Sequence, residues 1–128
     1  MKDGLIEIKN CTEEGYHPQI WFEGWRVAYL NDTPKFHAES ITEMHRHNTS
    51  DEVFILLKGN CTLYVGDGRD SVDTVYAVPM ELEKMYNIPK GVWHTHITSE
   101  GARLVIIENA DVSPENTDYA PVDIKALR

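Results

Sequence analysis

The sequence predicts an all-β fold, a small antiparallel β-barrel or sandwich, on three observations. Apolar, aromatic and β-branched residues come in short runs, some alternating with polar residues and some continuous, as strands buried on one or both faces require. Gly, Pro, Asn and Asp punctuate those runs about every 8–12 residues, the spacing of strand-and-turn architectures. No stretch sustains the apolar periodicity of a long helix.

Taken in order, residues 5–9 alternate and predict a short edge strand, and residues 11–18 form a polar connection containing Gly15 and Pro18. Residues 20–30 are rich in aromatic and β-branched side chains and run into the turn Asn31-Asp32-Thr33-Pro34. Trp21 and Trp25 suit either a subunit interface or packing on an outer wall, because aromatic residues serve both. Residues 36–42 are expected to be a strand leading into His45. Residues 52–58 and 61–65 flank Gly59-Asn60 and read as a β-hairpin. A loop at 66–70 precedes a strand over 72–80 broken by Pro79, a turn over 81–84 and a short strand over 85–88. The turn signal Pro89-Lys90-Gly91 opens a strand over 92–98, and residues 102–109 make the last barrel strand. Beyond Asn109 the composition shifts to Asp, Ser, Pro, Asn and Thr. That predicts a tail, residues 110–128, wrapping the surface with at most one helical turn near 122–127.

At 128 residues the chain is expected to form one domain over residues 1–128, large enough to bury a core. No stretch approaches the roughly 18 apolar residues that span a bilayer, so no membrane is expected as partner. Glu7 falls inside what would be the apolar core of an export signal. Cys11 and Cys61 make no disulfide framework, and Cys61 reads as a small buried hydrophobe. Both observations favour a cytoplasmic setting. A formal charge of −9 argues against a nucleic-acid partner.

The chemistry concentrates in residues 45–59. His45 and His47 stand two apart, and in a strand that spacing puts them on one face about 6.6 Å apart. The turn-forming residues 48–51 let Glu52 open the next strand and return a carboxylate to the same point. Two imidazoles and a carboxylate suit a divalent transition metal. Farther on, His94, His96 and Thr98 share one strand face. Alternation carried back from His45 would also place Glu43, Ile41 and Glu39 inward. Carboxylates crowded into one small barrel are costly unless paired, so a bulge or bend is expected to turn at least one Glu outward. Glu43 is kept as a reserve ligand.

The spacing HxH(x4)E(x6)G, followed by PxG(x2)H, resembles the two signature motifs of the cupin superfamily. The resemblance covers the two motifs and the strands around them, about residues 20–109. It implies a jelly-roll barrel, the double-stranded β-helix, with His45, His47, Glu52 and His94 as metal ligands and Gly59, Pro89 and Gly91 at turns. The pattern's usual glycines before each motif are here Glu39 and Glu83, and its closing Asn is Thr98. None of these is a ligand. The implied cofactor is one divalent transition metal, Fe, Mn, Ni or Zn, with two positions left free on an octahedral ion.

The function expected from these residues is a metal-binding cupin acting on a small polar metabolite. The resemblance offers oxygenase, isomerase or epimerase, and decarboxylase chemistry without choosing among them. The alternative is a non-catalytic module that binds a sugar-like molecule; a storage role is disfavoured for so short a chain. His96 is either an acid–base or substrate-contacting residue, or a hydrogen-bonded outer histidine. Tyr64, Tyr76, Tyr86 and Trp93 either line the cavity or pack the wall. Early strands often build dimers in the superfamily, which implies a homodimer here.

Overall fold

The computed structural model describes residues 2–124. Ten strands occur among them: β1 (Gly15–Phe22), β2 (Trp25–Asn31), β3 (Glu43–His47), β4 (Glu52–Lys58), β5 (Cys61–Gly66), β6 (Val75–Pro79), β7 (Met85–Ile88), β8 (Trp93–Thr98), β9 (Arg103–Asn109) and β10 (Thr117–Pro121). They form two five-stranded antiparallel sheets, β1-β2-β9-β4-β7 and β10-β3-β8-β5-β6. This is the all-β jelly roll expected. No helix among the described residues is long and apolar enough to cross a membrane.

Alternation decides what lies between the sheets. Phe54 and Leu56 of β4, Leu104 and Ile106 of β9, and Cys61 and Leu63 of β5 point inward and pack with Leu30, Met80 and Ile88. At the other end of the same inward faces stand Glu52 on β4 and Glu108 on β9, both buried. The second sheet buries its outer face too. Met44, Tyr64 and Trp93 pack there against Ala120 and Ile124 from the C-terminal stretch, and the Arg46 guanidinium lies 4.3 Å over the Trp93 ring.

Several expected elements differ. Residues 5–9 form no strand, and Leu5, Ile6 and Ile8 are exposed. The first strand instead begins at Gly15 and carries Pro18 at a register irregularity of the sheet edge, where a missing N–H is tolerated. The aromatic stretch at 20–30 is divided by a turn at Glu23-Gly24, with Glu23 at φ 47°. Residues 36–42 are not a strand. Pro34 starts one 3-10 turn, Pro34–Phe36, and a second follows at Ala38–Ser40. The turns are closed by Phe36 N–H to Thr33 O and Ser40 N–H to His37 O. The second turn bends the chain at Glu39, at the start of the stretch 39–45 where a bend was expected, and Glu39 is exposed; Glu43 is exposed at the first position of β3, beyond that bend.

The predicted hairpin is also absent. β4 pairs with β7 and β9, and β5 with β6 and β8, so Gly59-Asn60 carries the chain from one sheet to the other. Gly59 has φ +74°, and a Cβ there would sit 2.8 Å from Ala102 Cα, so a side chain is excluded on both counts. Glu83 adopts φ 67°, the left-handed conformation that the cupin pattern's glycine would take without strain. The tail contributes β10, which pairs with β3 and closes that edge, rather than only wrapping the surface. Of the helical turn expected near 122–127, residues 125–127 fall outside the described residues.

Candidate metal centre

The site lies between the sheets, with imidazoles from one and carboxylates from the other. β3 supplies His45 and His47, and β8 supplies His94, which faces His45 across the strand pair. Glu52 stands at the start of β4, beside Glu108 of β9. One donor atom each from His45, His47, Glu52 and His94 lies within 4.8 Å of the others. The four residues chosen from sequence are thus brought together. Glu43, the reserve ligand, is not among them.

The hydrogen bonds around the imidazoles test whether a cation fits. His94 Nδ1 faces the Val92 carbonyl at 3.0 Å, so that nitrogen carries the proton. Thr117 Oγ1 gives its own proton to Ser113 O, so at 3.0 Å it accepts one from His47 Nδ1. Both Nε2 lone pairs then turn towards Glu52 Oε1, at 2.9 Å for His94 and 3.1 Å for His47. Lone pairs converging on a carboxylate call for a positive centre between them. Donor spacings near 3.0 Å also match adjacent positions around an octahedral ion with bonds of about 2.1 Å. The outer partners Val92 and Thr117 fix the tautomers, as second-layer groups do at histidine-bound metals. The donor set fits a divalent transition metal.

Electrostatics agree with that chemistry. Burial and the neighbouring His94 imidazole push His45 down to about 3, so it is neutral and its lone pairs are available. Burial alone would raise Glu52. Without an ion between them, protons on His47 and His94 Nε2 take its place, and their hydrogen bonds to Glu52 outweigh burial and hold the carboxyl well below the usual range. His47 is raised, because Glu52 and Glu108 outweigh its burial.

A cavity of about 220 Å³ adjoins the donor set, lined by His45, His47, Glu52, His96 and Glu108 with Tyr16, Leu30, Phe36 and Ile106. His96 therefore points inward, as alternation from His94 predicts. It sits 4.9 Å from Phe36 and 6.2 Å from Phe54, ring centre to ring centre. Both its ring nitrogens are shielded from solvent and have no hydrogen-bond partner among the described residues. Burial lowers it to about 4, so it is neutral near pH 7. The four aromatic residues weighed as cavity lining do not line it. Tyr64 and Trp93 belong to the outer cluster, Tyr76 is exposed, and the Tyr86 hydroxyl accepts the Glu81 N–H. Cys61 is buried, and burial pushes its thiol up to about 12, which leaves it unreactive.

Three residues escaped the sequence reading. Glu108 Oε1 accepts hydrogen bonds from Tyr16 Oη at 2.6 Å and Arg26 Nη2 at 2.9 Å, and Arg26 Nε donates to Tyr16 Oη at 3.1 Å. A signal for Glu108 was available: Leu104, Ile106 and Glu108 alternate, and the first two are core. Tyr16 lay before Pro18 in a segment read as connection.

The shifted histidines set a pH dependence for the metal-free protein. His45 and His96 have folded values below the unfolded 6.5, so the unfolded chain binds more protons and stability falls as pH drops below about 6.5. Glu52 adds a further loss below its unfolded value near 4.5. The raised His47 acts in the opposite direction, but it is one group against two. Urea midpoints of chelator-treated protein are expected to be lower at pH 5 than at pH 7.5. Equal midpoints would contradict the burial of His45 and His96.

The family described as FdtA: WxcM-like, C-terminal matches residues 8–122. No curated protein matches the chain. Among solved structures, a cupin-2 domain protein from Shewanella frigidimarina is 24% identical over 76% of this chain and 83% of that one, with a TM-score of 0.54. A TDP-quinovose 3,4-ketoisomerase from Campylobacter jejuni is 21% identical over 72% of this chain and 67% of its own, with a TM-score of 0.57. An oxalate decarboxylase from Bacillus subtilis is 15% identical over 74% of this chain and 23% of its own, with a TM-score of 0.53. At these identities the likeness is one of fold.

Proposed function

The chain belongs to the FdtA family (WxcM-like, C-terminal), and from that premise we propose that it is a metal-dependent cupin isomerase acting on a keto sugar. The observation that carries the reading is His96, a neutral imidazole in the cavity beside the four-donor set with both nitrogens unpartnered. His45, His47, Glu52 and His94 would hold a divalent ion, whose positive charge would polarise a carbonyl oxygen. His96 takes a proton from the carbon that bears the hydroxyl next to the carbonyl, and returns it to the former carbonyl carbon. One C–H bond breaks and one forms, the hydroxyl proton passes between the two oxygens, and no oxidant is consumed. Leu30, Phe36 and Ile106 give the cavity an apolar wall suited to the C–H face of a ring. The fold neighbour named a TDP-quinovose 3,4-ketoisomerase supports a sugar rather than a diacid as the class to test.

The test is proton exchange. Metal-loaded protein in D₂O is mixed with a TDP-linked 4-keto-6-deoxyhexose, and NMR reads deuterium at the carbon next to the keto group together with the isomer formed. Exchange at the background rate, in protein shown to hold metal, would overturn the isomerase and leave the binding module.

A homodimer remains part of this reading. Phe22 and Trp25 are 58% and 43% exposed with ring centres 6.0 Å apart, an apolar pair at the end of β1 and β2 that a second copy would cover, while Trp21, 57% exposed, takes the opposite face. Light scattering is expected to give twice the mass of one chain at micromolar concentration; the mass of one chain would remove the dimer.

A further inference from the structure

Glu108 is the buried carboxylate that proton transfer by His96 leaves without a task. Glu108 lines the cavity; its Oε1 is held by Tyr16 and Arg26, while its Oε2 is shielded from solvent and has no hydrogen-bond partner among the described residues. That oxygen lies 3.9 Å from His47 Nε2. A buried carboxylate oxygen with nothing to accept is costly, so the network that orients it implies a donor arriving from the cavity. Water can be that donor at rest, and a ligand's hydroxyl in the complex.

We infer that Glu108 sets the ligand class: its free Oε2 accepts a hydrogen bond from a hydroxyl of a neutral, polyhydroxylated ring or chain, alone or as part of a larger ligand, and bars small carboxylates from the same place. The inference rests on the donor set and on the sugar reading above, and it narrows the latter. An ionised carboxylate only accepts hydrogen bonds. A diacid at this point would set acceptor against acceptor and like charge against like. No Lys or Arg among the described residues lines the cavity to compensate it. Arg26 does not, because its N–H groups go to Glu108, Tyr16, Ala110 O and Val112 O. Lys35 lines the adjoining groove, where a charged part of a larger ligand could lie. The fold neighbour that decarboxylates oxalate thus shares the barrel, while the cavity chemistry here runs against its substrate.

The test uses cobalt(II)-loaded protein, whose visible absorption reports ligands arriving at the ion, with oxalate and dihydroxyacetone as probes. Cobalt content is measured first, so a failure of the donor set shows as protein without cobalt, before either probe is added. In Glu108→Gln the oxalate affinity is expected to rise roughly 10-fold or more and the dihydroxyacetone affinity to fall, both in the range set by a charge-assisted hydrogen bond. Should the lone variant leave Arg26 unpaired and fail to fold, the double variant Arg26→Gln/Glu108→Gln removes both charges and is expected to show the same gain for oxalate. Tyr16→Phe keeps the carboxylate and should exclude oxalate as the parent does. Oxalate affinity that is equal in parent and Glu108→Gln, including no binding to either, overturns the inference.

Discussion

Replacing His96 by Gln is expected to lower turnover by roughly 10²–10⁴, the range for removing a general acid–base group, with metal content and melting temperature nearly unchanged. The expectation follows from position. His94 faces the donor set, and two residues on along β8 His96 reaches the cavity without joining that set. Its neighbours are Phe36 and Phe54, and no group among the described residues accepts from or donates to its ring, so its removal breaks no hydrogen bond among them. The amide of Gln fills similar space and can hydrogen-bond a ligand, but it carries no proton back and forth. The readout is therefore a split between binding and chemistry: near-normal KM with kcat reduced, and loss of deuterium exchange in the same assay. If His96 only holds a ligand, the change costs about 0.5–3 kcal/mol in affinity. A variant with full exchange would strip the isomerase reading of its proton carrier.

The donor set was legible because its geometry is local. Two histidines at a strand's period of two must share a face, and a four-residue turn returns Glu52 to them. His94 required more, a fixed distance from a turn on another strand, and the cupin spacing supplied it. What sequence could not supply was pairing. Gly59-Asn60 satisfies the chemistry of a hairpin turn, but alternation says only which face a residue takes, not which strand lies alongside. β4 and β5 each find both partners elsewhere. The same gap hid β10: in a polar tail, Thr117–Pro121 becomes a strand because β3 offers it an edge, an effect of tertiary context rather than propensity. Glu108 shows the reverse case. Its inward position could be read from Leu104 and Ile106, but a lone Glu at the end of an apolar strand looks like its solvated terminus. Only the approach of Tyr16 and Arg26, 92 and 82 residues away in sequence, marks it as buried by design.

Removing the metal is expected to lower the melting temperature by roughly 10 °C. A ligand at about 100 times its dissociation constant stabilises the folded state by about 2.7 kcal/mol, and a chain of this length shifts by several degrees for each kcal/mol. The ion would link β3, β4 and β8, strands from both sheets, so its loss leaves the imidazoles and Glu52 converging without a positive centre. His47→Ala should abolish the response to chelator, starting from a lower melting temperature because Glu52 and Thr117 each lose a partner. A second group, Cys11, Glu13 and His17, also brings three donor atoms within 4.8 Å, near the surface. Cys11→Ser controls for it and should keep the full response. His47, raised above its unperturbed 6.5, must lose its proton to bind, so the chelator-induced shift should shrink as pH falls towards and below about 6.5, while His45 stays neutral down to about 3 and adds nothing there. A melting curve indifferent to chelator, in protein carrying one ion per chain, would mean that the ion is not held by these four residues.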